Sequence, residues 1–172
     1  MSLSWRTIKK ARRLLNNLAL FLKDVQTLVV IGMGNELHGD DGVGLHVVQL
    51  LRPSHTPRLH VFEGHMTPEV YIKPACDIHP THVLIVDAAE LQTAPGTWRI
   101  IEAGELREEM FTTHAIPASA IAAEIERRCN AQVGFLGIQP RRCDVSLSLS
   151  DECRRAAEQV VGEIHSLMTI KR

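Results

Sequence analysis

Asp87 follows the apolar run Val83-Leu84-Ile85-Val86 with no polar residue between. Four aliphatic residues running into one carboxylate place that acid at the mouth of a buried strand. Its desolvation must there be offset by a partner, a metal or protonation. A second acid, Asp41, lies in Gly32-Met33-Gly34-Asn35-Glu36-Leu37-His38-Gly39-Asp40-Asp41-Gly42-Val43-Gly44, directly after Leu28-Val29-Val30-Ile31. His114 stands in Thr112-Thr113-His114-Ala115-Ile116-Pro117, a loop between two elements. Two carboxylates and one imidazole can ligate nickel, zinc, manganese or iron and leave positions open. The same two carboxylates could instead share a proton around an activated water. No Ser or Cys has visible company for nucleophilic catalysis.

Each of these residues also has a plainer use. Asp40 would cap the helix that begins near Gly42, and Asp41 would favour the positive end of its dipole. Glu63, in Glu63-Gly64-His65-Met66-Thr67, reads as a solvated loop acid, and His114 as a structural loop histidine. His38, His55, His60, His79, His82 and His165 stand in polar or turn contexts. The glycine-rich stretch is not the dinucleotide fingerprint, which needs Gly at position 37 where this chain has Leu. Nor is it a phosphate-binding P-loop, because no Gly-Lys-Ser/Thr follows.

The elements that must position these groups alternate along the chain. Leu28–Ile31 and Val83–Val86 read as strands buried on both faces, and Leu59–Phe62, Thr97–Ile101 and Val133–Ile138 as further strands. Helical spacing runs over Gly42–Leu51, over Pro117–Cys129, and from a cap at Ser150 or Asp151 to Met168. Pro68–Cys76 is a short helix whose length Pro74 limits. The alternation predicts a layered α-β-α fold around a mainly parallel, five-stranded sheet. The Val86-to-Thr97 stretch is too short for a crossover helix, so the strand after it is expected to run antiparallel. In such sheets ligands bind beyond the carboxyl ends of the strands. Asp41, Asp87 and His114 are therefore expected to share one edge.

At 172 residues the chain is expected to form one domain, with an N-terminal helix over 1–24 and a core over 28–172. Trp5, Ile8, Ala11, Leu15, Leu18, Leu22 and Val25 make a helical apolar stripe flanked by Arg and Lys. That stripe could cover its own domain, a second copy of the chain, or another partner. A net charge of -1 and scarce aromatics argue against a nucleic-acid binder. No apolar stretch reaches the roughly 18 residues of a membrane span, and no signal-peptide pattern opens the chain. The expectation is a cytoplasmic protein whose four cysteines are free thiols.

Taken in order, these motifs resemble the maturation endopeptidases of nickel-iron hydrogenase large subunits, most of all the branch acting on hydrogenase 3. The resemblance is carried by Gly32-Met33-Gly34-Asn35, Asp40-Asp41-Gly42-Val43-Gly44, Leu84-Ile85-Val86-Asp87-Ala88, Pro95-Gly96-Thr97-Trp98-Arg99-Ile100-Ile101, Phe111–Pro117 and Phe135-Leu136-Gly137-Ile138-Gln139-Pro140. It implies an α/β fold and removal of a short C-terminal peptide from the large-subunit precursor after nickel insertion. It also implies nickel held by that substrate, metal contacts and catalysis by Asp41, Asp87 and His114, and a structural loop of Gly32, Gly34, Asn35, Asp40 and Gly42. The family's substrate-recognising acid falls on Glu63. There the family's Asp-Gly-Gly-Thr is replaced by Glu63-Gly64-His65-Met66-Thr67, which adds His65 as a candidate ligand. An intrinsic catalytic metal and a non-catalytic sensor of the metallated precursor are the alternative readings.

Overall fold

The computed structural model describes residues 18–54, 56–101, 106–107, 110 and 117–169. His114, His55 and the first 17 residues of the expected N-terminal helix lie outside them. Strands β1 (Leu28–Met33) and β3 (His82–Ala88) are buried along their whole length. Their short aliphatic runs suit central strands covered on both faces. β2 (Leu59–His65) and β4 (Trp98–Ile101) form the edges, and β5 (Gln132–Ile138) lies between β3 and β4. The sheet order is β2-β1-β3-β5-β4, parallel throughout except for the antiparallel β4/β5 pair. This is the expected mixed sheet, with the predicted strand reversed.

Alternation along the strands builds two apolar layers. Leu28, Val30, Leu84, Val86, Leu136 and Ile138 face α1 (Leu18–Phe21), α2 (Val43–Leu51) and α5 (Asp151–Thr169). Val29, Ile31, Val83, Ile85 and Phe135 face α3 (Ile72–Asp77) and α4 (Ala118–Cys129). Ser150 caps α5, its Oγ accepting the Cys153 N–H at 3.3 Å. Asn130, at φ 53°, ends α4 in the left-handed conformation and turns the chain into β5.

The structure corrects three expectations. Cys76 in α3 and Cys129 in α4 form a disulfide with Cα atoms 4.8 Å apart, so only Cys143 and Cys153 are free thiols. The two helices lie side by side on one face of the sheet, a proximity that a 53-residue separation does not reveal. His82, read as polar-context, is 2 % exposed as the first residue of β3. Pro74 does not end the Pro68–Cys76 helix. A 3-10 turn over Pro68–Tyr71 leads into α3, and Pro74 sits in the first turn of that helix, where a missing N–H is tolerated.

Candidate functional site

The sheet reverses its winding between β1 and β3: β2 lies beyond one and β5 beyond the other. A crevice opens at such a switch point, outside the carboxyl ends of the strands. Two glycines close the loop after β1 onto it. Gly34 has φ +120°, and a Cβ there would overlap the Asp41 carbonyl. A Cβ on Gly44 would overlap the carbonyl oxygens of both Met33 and Val86. The loop is thereby folded across the ends of β1 and β3, which sets Asp41 beside the strand that ends in Asp87-Ala88.

Asp41 and Asp87 are 1 % and 2 % exposed. Asp41 Oδ2 accepts the Asn35 N–H at 3.0 Å, and Asp87 Oδ1 accepts the Ala88 N–H at 2.8 Å. Both residues make further interactions besides. Their shared neighbourhood is felt at Cys143. Burial, then the negative charges of Asp41, Asp40 and Asp87 among its neighbours, push that thiol up to about 11. Next to Asp87 a pocket of about 220 Å³ opens between Ala88–Glu90 and Pro140–Cys143, with Met110 on its wall.

Asp40 does not cap a helix: no side-chain cap bond is made at the 3-10 turn Gly39–Gly42. Its carboxylate points the other way. Oδ1 accepts the Ser150 N–H at 2.6 Å, while Oδ2 accepts the Ser150 hydroxyl at 2.9 Å and the N–H groups of Arg141 and Arg142 at 2.9 and 3.2 Å. Burial alone would raise its pKa, but these donors outweigh it and hold the carboxyl below its ordinary value. The acidic pair thus divides its labour. Asp40 fastens the 141–150 loop, and Asp41 remains at the crevice. Asn35 sets the turn before them, its Oδ1 accepting the Leu37 N–H at 3.0 Å, and a Cβ on Gly42 would crowd Glu36.

Glu63 and His65 lie at the carboxyl end of β2, in register with Gly32 and Met33 of β1. They stand two strands from Asp87, roughly 10 Å across the ladder, and so form the rim rather than the centre. Glu63 is ion-paired to Arg52, and His65 Nε2 is 3.8 Å from its other oxygen. Nothing in the sequence spacing of Arg52 and Glu63 links them. Gln139 belongs to the Phe135–Pro140 motif. Its Oε1 accepts the Leu91 N–H at 2.7 Å and its Nε2 donates to Glu90 at 3.2 Å, fixing the loop after Asp87. The signal was available: a polar residue directly after an apolar strand, the pattern that singled out Asp87.

Among the described residues no group of three His, Cys, Asp or Glu side chains is placed to hold a metal ion. The third donor expected for such a set, His114, falls outside them. Its nearest described neighbour is Pro117, which precedes α4. That helix ends where β5 begins, at the amino edge of the sheet, so its start lies toward the carboxyl edge. It covers the face on which Val83 and Ile85 point, and alternation puts Asp87 on that same face.

A family model described as "Hydrogenase maturation protease" matches residues 45–167. The hydrogenase 3 maturation protease of Escherichia coli K12 is 31% identical over 135 residues, covering 78% of this chain and 86% of that protein. The solution structure of the endopeptidase HycI from Escherichia coli superposes with a TM-score of 0.73 at 30% identity, covering 83% of this chain and 92% of that one. The crystal structure of a nickel-iron hydrogenase maturation protease HycI from Thermococcus kodakarensis shares the fold, with a TM-score of 0.80 at 24% identity over 88% of this chain and 97% of that one.

Proposed function

Because the chain belongs to the hydrogenase maturation protease family, and is therefore a hydrolase of the endopeptidase type, we propose that it removes the C-terminal peptide of a nickel-iron hydrogenase large-subunit precursor once nickel has been inserted. The observation that carries the reading is the pair Asp41 and Asp87, both buried, at the switch point of the sheet. Two buried carboxylates at one edge of the sheet suit a divalent ion, whose charge would offset the cost of burying theirs. Oxygen donors from Asp41 and Asp87 with an imidazole from His114 make a set that nickel accepts. The set is incomplete, so the free chain would hold a divalent ion weakly, and the precursor's own ligands would complete the shell. An empty precursor lacks this contact and would be passed over.

Once the nickel is gripped, the chain's part is to hold the scissile bond at the crevice and exclude bulk water. Glu63 and His65, on the rim, would meet the precursor beside the metal. The Asp40-fastened 141–150 loop would wall the other side. We place the reaction in the cytoplasm. The test is incubation with nickel-loaded and nickel-free precursor, read by mass spectrometry. Loss of the C-terminal peptide from the loaded form alone is expected. Asp41→Asn, Asp87→Asn and His114→Ala should each slow cleavage by about a hundredfold or more. Equal cleavage of both forms would overturn the nickel checkpoint, and no cleavage of either would overturn the reading.

A further inference from the structure

The 141–150 loop that Asp40 fastens carries exposed aliphatic side chains that the catalytic reading leaves unused. Val145 and Leu147 are 85% and 83% exposed, and Leu37 is 56% exposed. They are neighbours in space. His38 and Ser146 form a parallel bridge, in which the Ser146 N–H donates to the Leu37 carbonyl at 3.0 Å and the Gly39 N–H donates to the Ser146 carbonyl at 2.8 Å. Leu37 and Val145 each precede a residue of that bridge and Leu147 follows it, so all three stand within one residue of the same bridge. Three exposed aliphatic side chains are thus gathered about one bridge point.

The patch is built rather than frayed. Asp40 holds both ends of the loop, through Arg141 and Arg142 on one side and Ser150 on the other. Ser146 Oγ and Ser148 brace the tip between Val145 and Leu147. Arg142 and Asp144 place an ion pair at its edge. An exposed apolar centre with a charged border is the anatomy of a docking surface, and leaving large aliphatics in water forfeits burial energy that a partner recovers.

We propose that Leu37, Val145 and Leu147 form the ridge on which the folded body of the protein substrate docks while its scissile segment enters the crevice. This rests on the maturation-endopeptidase reading and names the surface that reading lacks. The argument for this occupant is position. Arg142 and Cys143, in the same loop, line the pocket that Ala88 also lines, next to Asp87, and the Arg142 carbonyl accepts the N–H of Asp40, next to Asp41, at 3.1 Å. The ridge therefore borders the approach to those acids from the side of the 141–150 loop. The acids themselves offer almost no area, and the adjoining pocket of about 220 Å³ takes no more than a side chain or two. A specific protein complex needs roughly 1,200 Å² or more of buried surface, which must come from the surrounding loops.

The test uses the full chain and purified, nickel-loaded large-subunit precursor, with a Val145→Asp/Leu147→Asp double variant. Both side chains are exposed, so its melting temperature should match the wild type. If it does not, Val145→Ser/Leu147→Ser replaces it. Binding is read by calorimetry, cleavage by KM and kcat, and mass by light scattering. The expected result is a Kd and KM raised about tenfold or more, with kcat within about twofold and unchanged mass. An unchanged Kd overturns the ridge, as does a wild-type dimer that the variant splits without loss of precursor binding. A wild type that binds the precursor without cutting it overturns the catalytic reading alone, and the ridge is then judged on Kd. A wild type that does not bind it overturns both.

Discussion

Asp40 and His82 show how far a side chain's type is from its use. Their neighbours in sequence suggest plain roles for both, and both are buried in the fold. Asp40 looked like a helix cap because it precedes one, yet its donors come from Ser150, Arg141 and Arg142, a hundred residues on. No local pattern encodes such a contact. Asp41 and Asp87 were legible because each follows a buried apolar run, and position relative to a strand end is a local property. Asp40→Asn should cost about 2–3 kcal/mol, because an amide turns two of its own hydrogens toward N–H and O–H donors. Its folded pKa is depressed, so the wild-type carboxylate stabilises the fold above the unfolded value near 3.8, and that stability is lost as pH falls through the folded value. Urea titrations of both proteins at pH 7 and pH 3 should show the difference shrinking at low pH. His82 runs on the histidine limb. Burial lowers its pKa from 6.5, opposed by the Phe21 carbonyl and the charge of Asp24. Neutral His82, edge-on to Phe21 with ring centroids 5.2 Å apart, is thus favoured by the fold. Stability is full above about pH 6.5 and declines below it as the unfolded chain takes up the proton. His46 is shifted the same way, by burial and then by Arg154, so it adds to the slope. His82→Leu should flatten the fall of melting temperature between pH 7.5 and 5.5 without abolishing it, and an unchanged slope would assign the effect elsewhere.

Elements were easier to read than residues, for a physical reason. A strand covered on both faces needs a short, unbroken aliphatic run, and β1 and β3 have little else. The antiparallel β4 followed from chain length alone, because too few residues separate it from β3 for a crossover. How the elements meet was hidden. Nothing in the spacing of Cys76 and Cys129 announces that α3 and α4 lie together, but the sheet order makes them neighbours on one face. The disulfide closes a long loop that contains β3, β4 and the whole segment bearing His114. In the chain-entropy account a bridge across 53 residues contributes at most about 4 kcal/mol. Cys76→Ser/Cys129→Ser, or reduction of the wild type, should lower stability by about 2–4 kcal/mol in a denaturant titration. Thiol counting in denaturant without reductant should find only Cys143 and Cys153 reactive in the wild type. Four reactive thiols with unchanged stability on adding reductant would remove the bridge from the account.

At the scale of the whole molecule, the fold turns a sheet with two apolar faces into a platform whose carboxyl edge alone carries the proposed chemistry. The opposite edge has a structural task that the sequence only half disclosed. The stripe from Trp5 to Val25 had three candidate partners, and its last turn answers for itself. Leu18, Leu22 and Val25 are buried in the layer with α2 and α5. Phe21 packs against His82, and its ring lies where a Cβ on Gly134 would stand. That end of the stripe covers its own core, so removing residues 1–17 and removing residues 1–24 are different experiments. The longer deletion strips Leu18, Phe21 and Leu22 from the sheet, at about 1.5–3 kcal/mol for each large side chain. At ~2–4 °C per kcal/mol, its melting temperature should fall by about 10 °C or more. The shorter deletion leaves that layer intact and should keep melting temperature and cleavage rate near the full-length values. Self-association through the remaining stripe, Trp5 to Leu15, is then read cleanly from mass. A full-length oligomer that becomes a monomer on removing residues 1–17, with stability unchanged, assigns those residues to contact between copies. A mass that does not change sinks self-association through this segment. A shorter deletion as destabilising as the longer one would show that residues 1–17 share the burden now assigned to Leu18, Phe21 and Leu22.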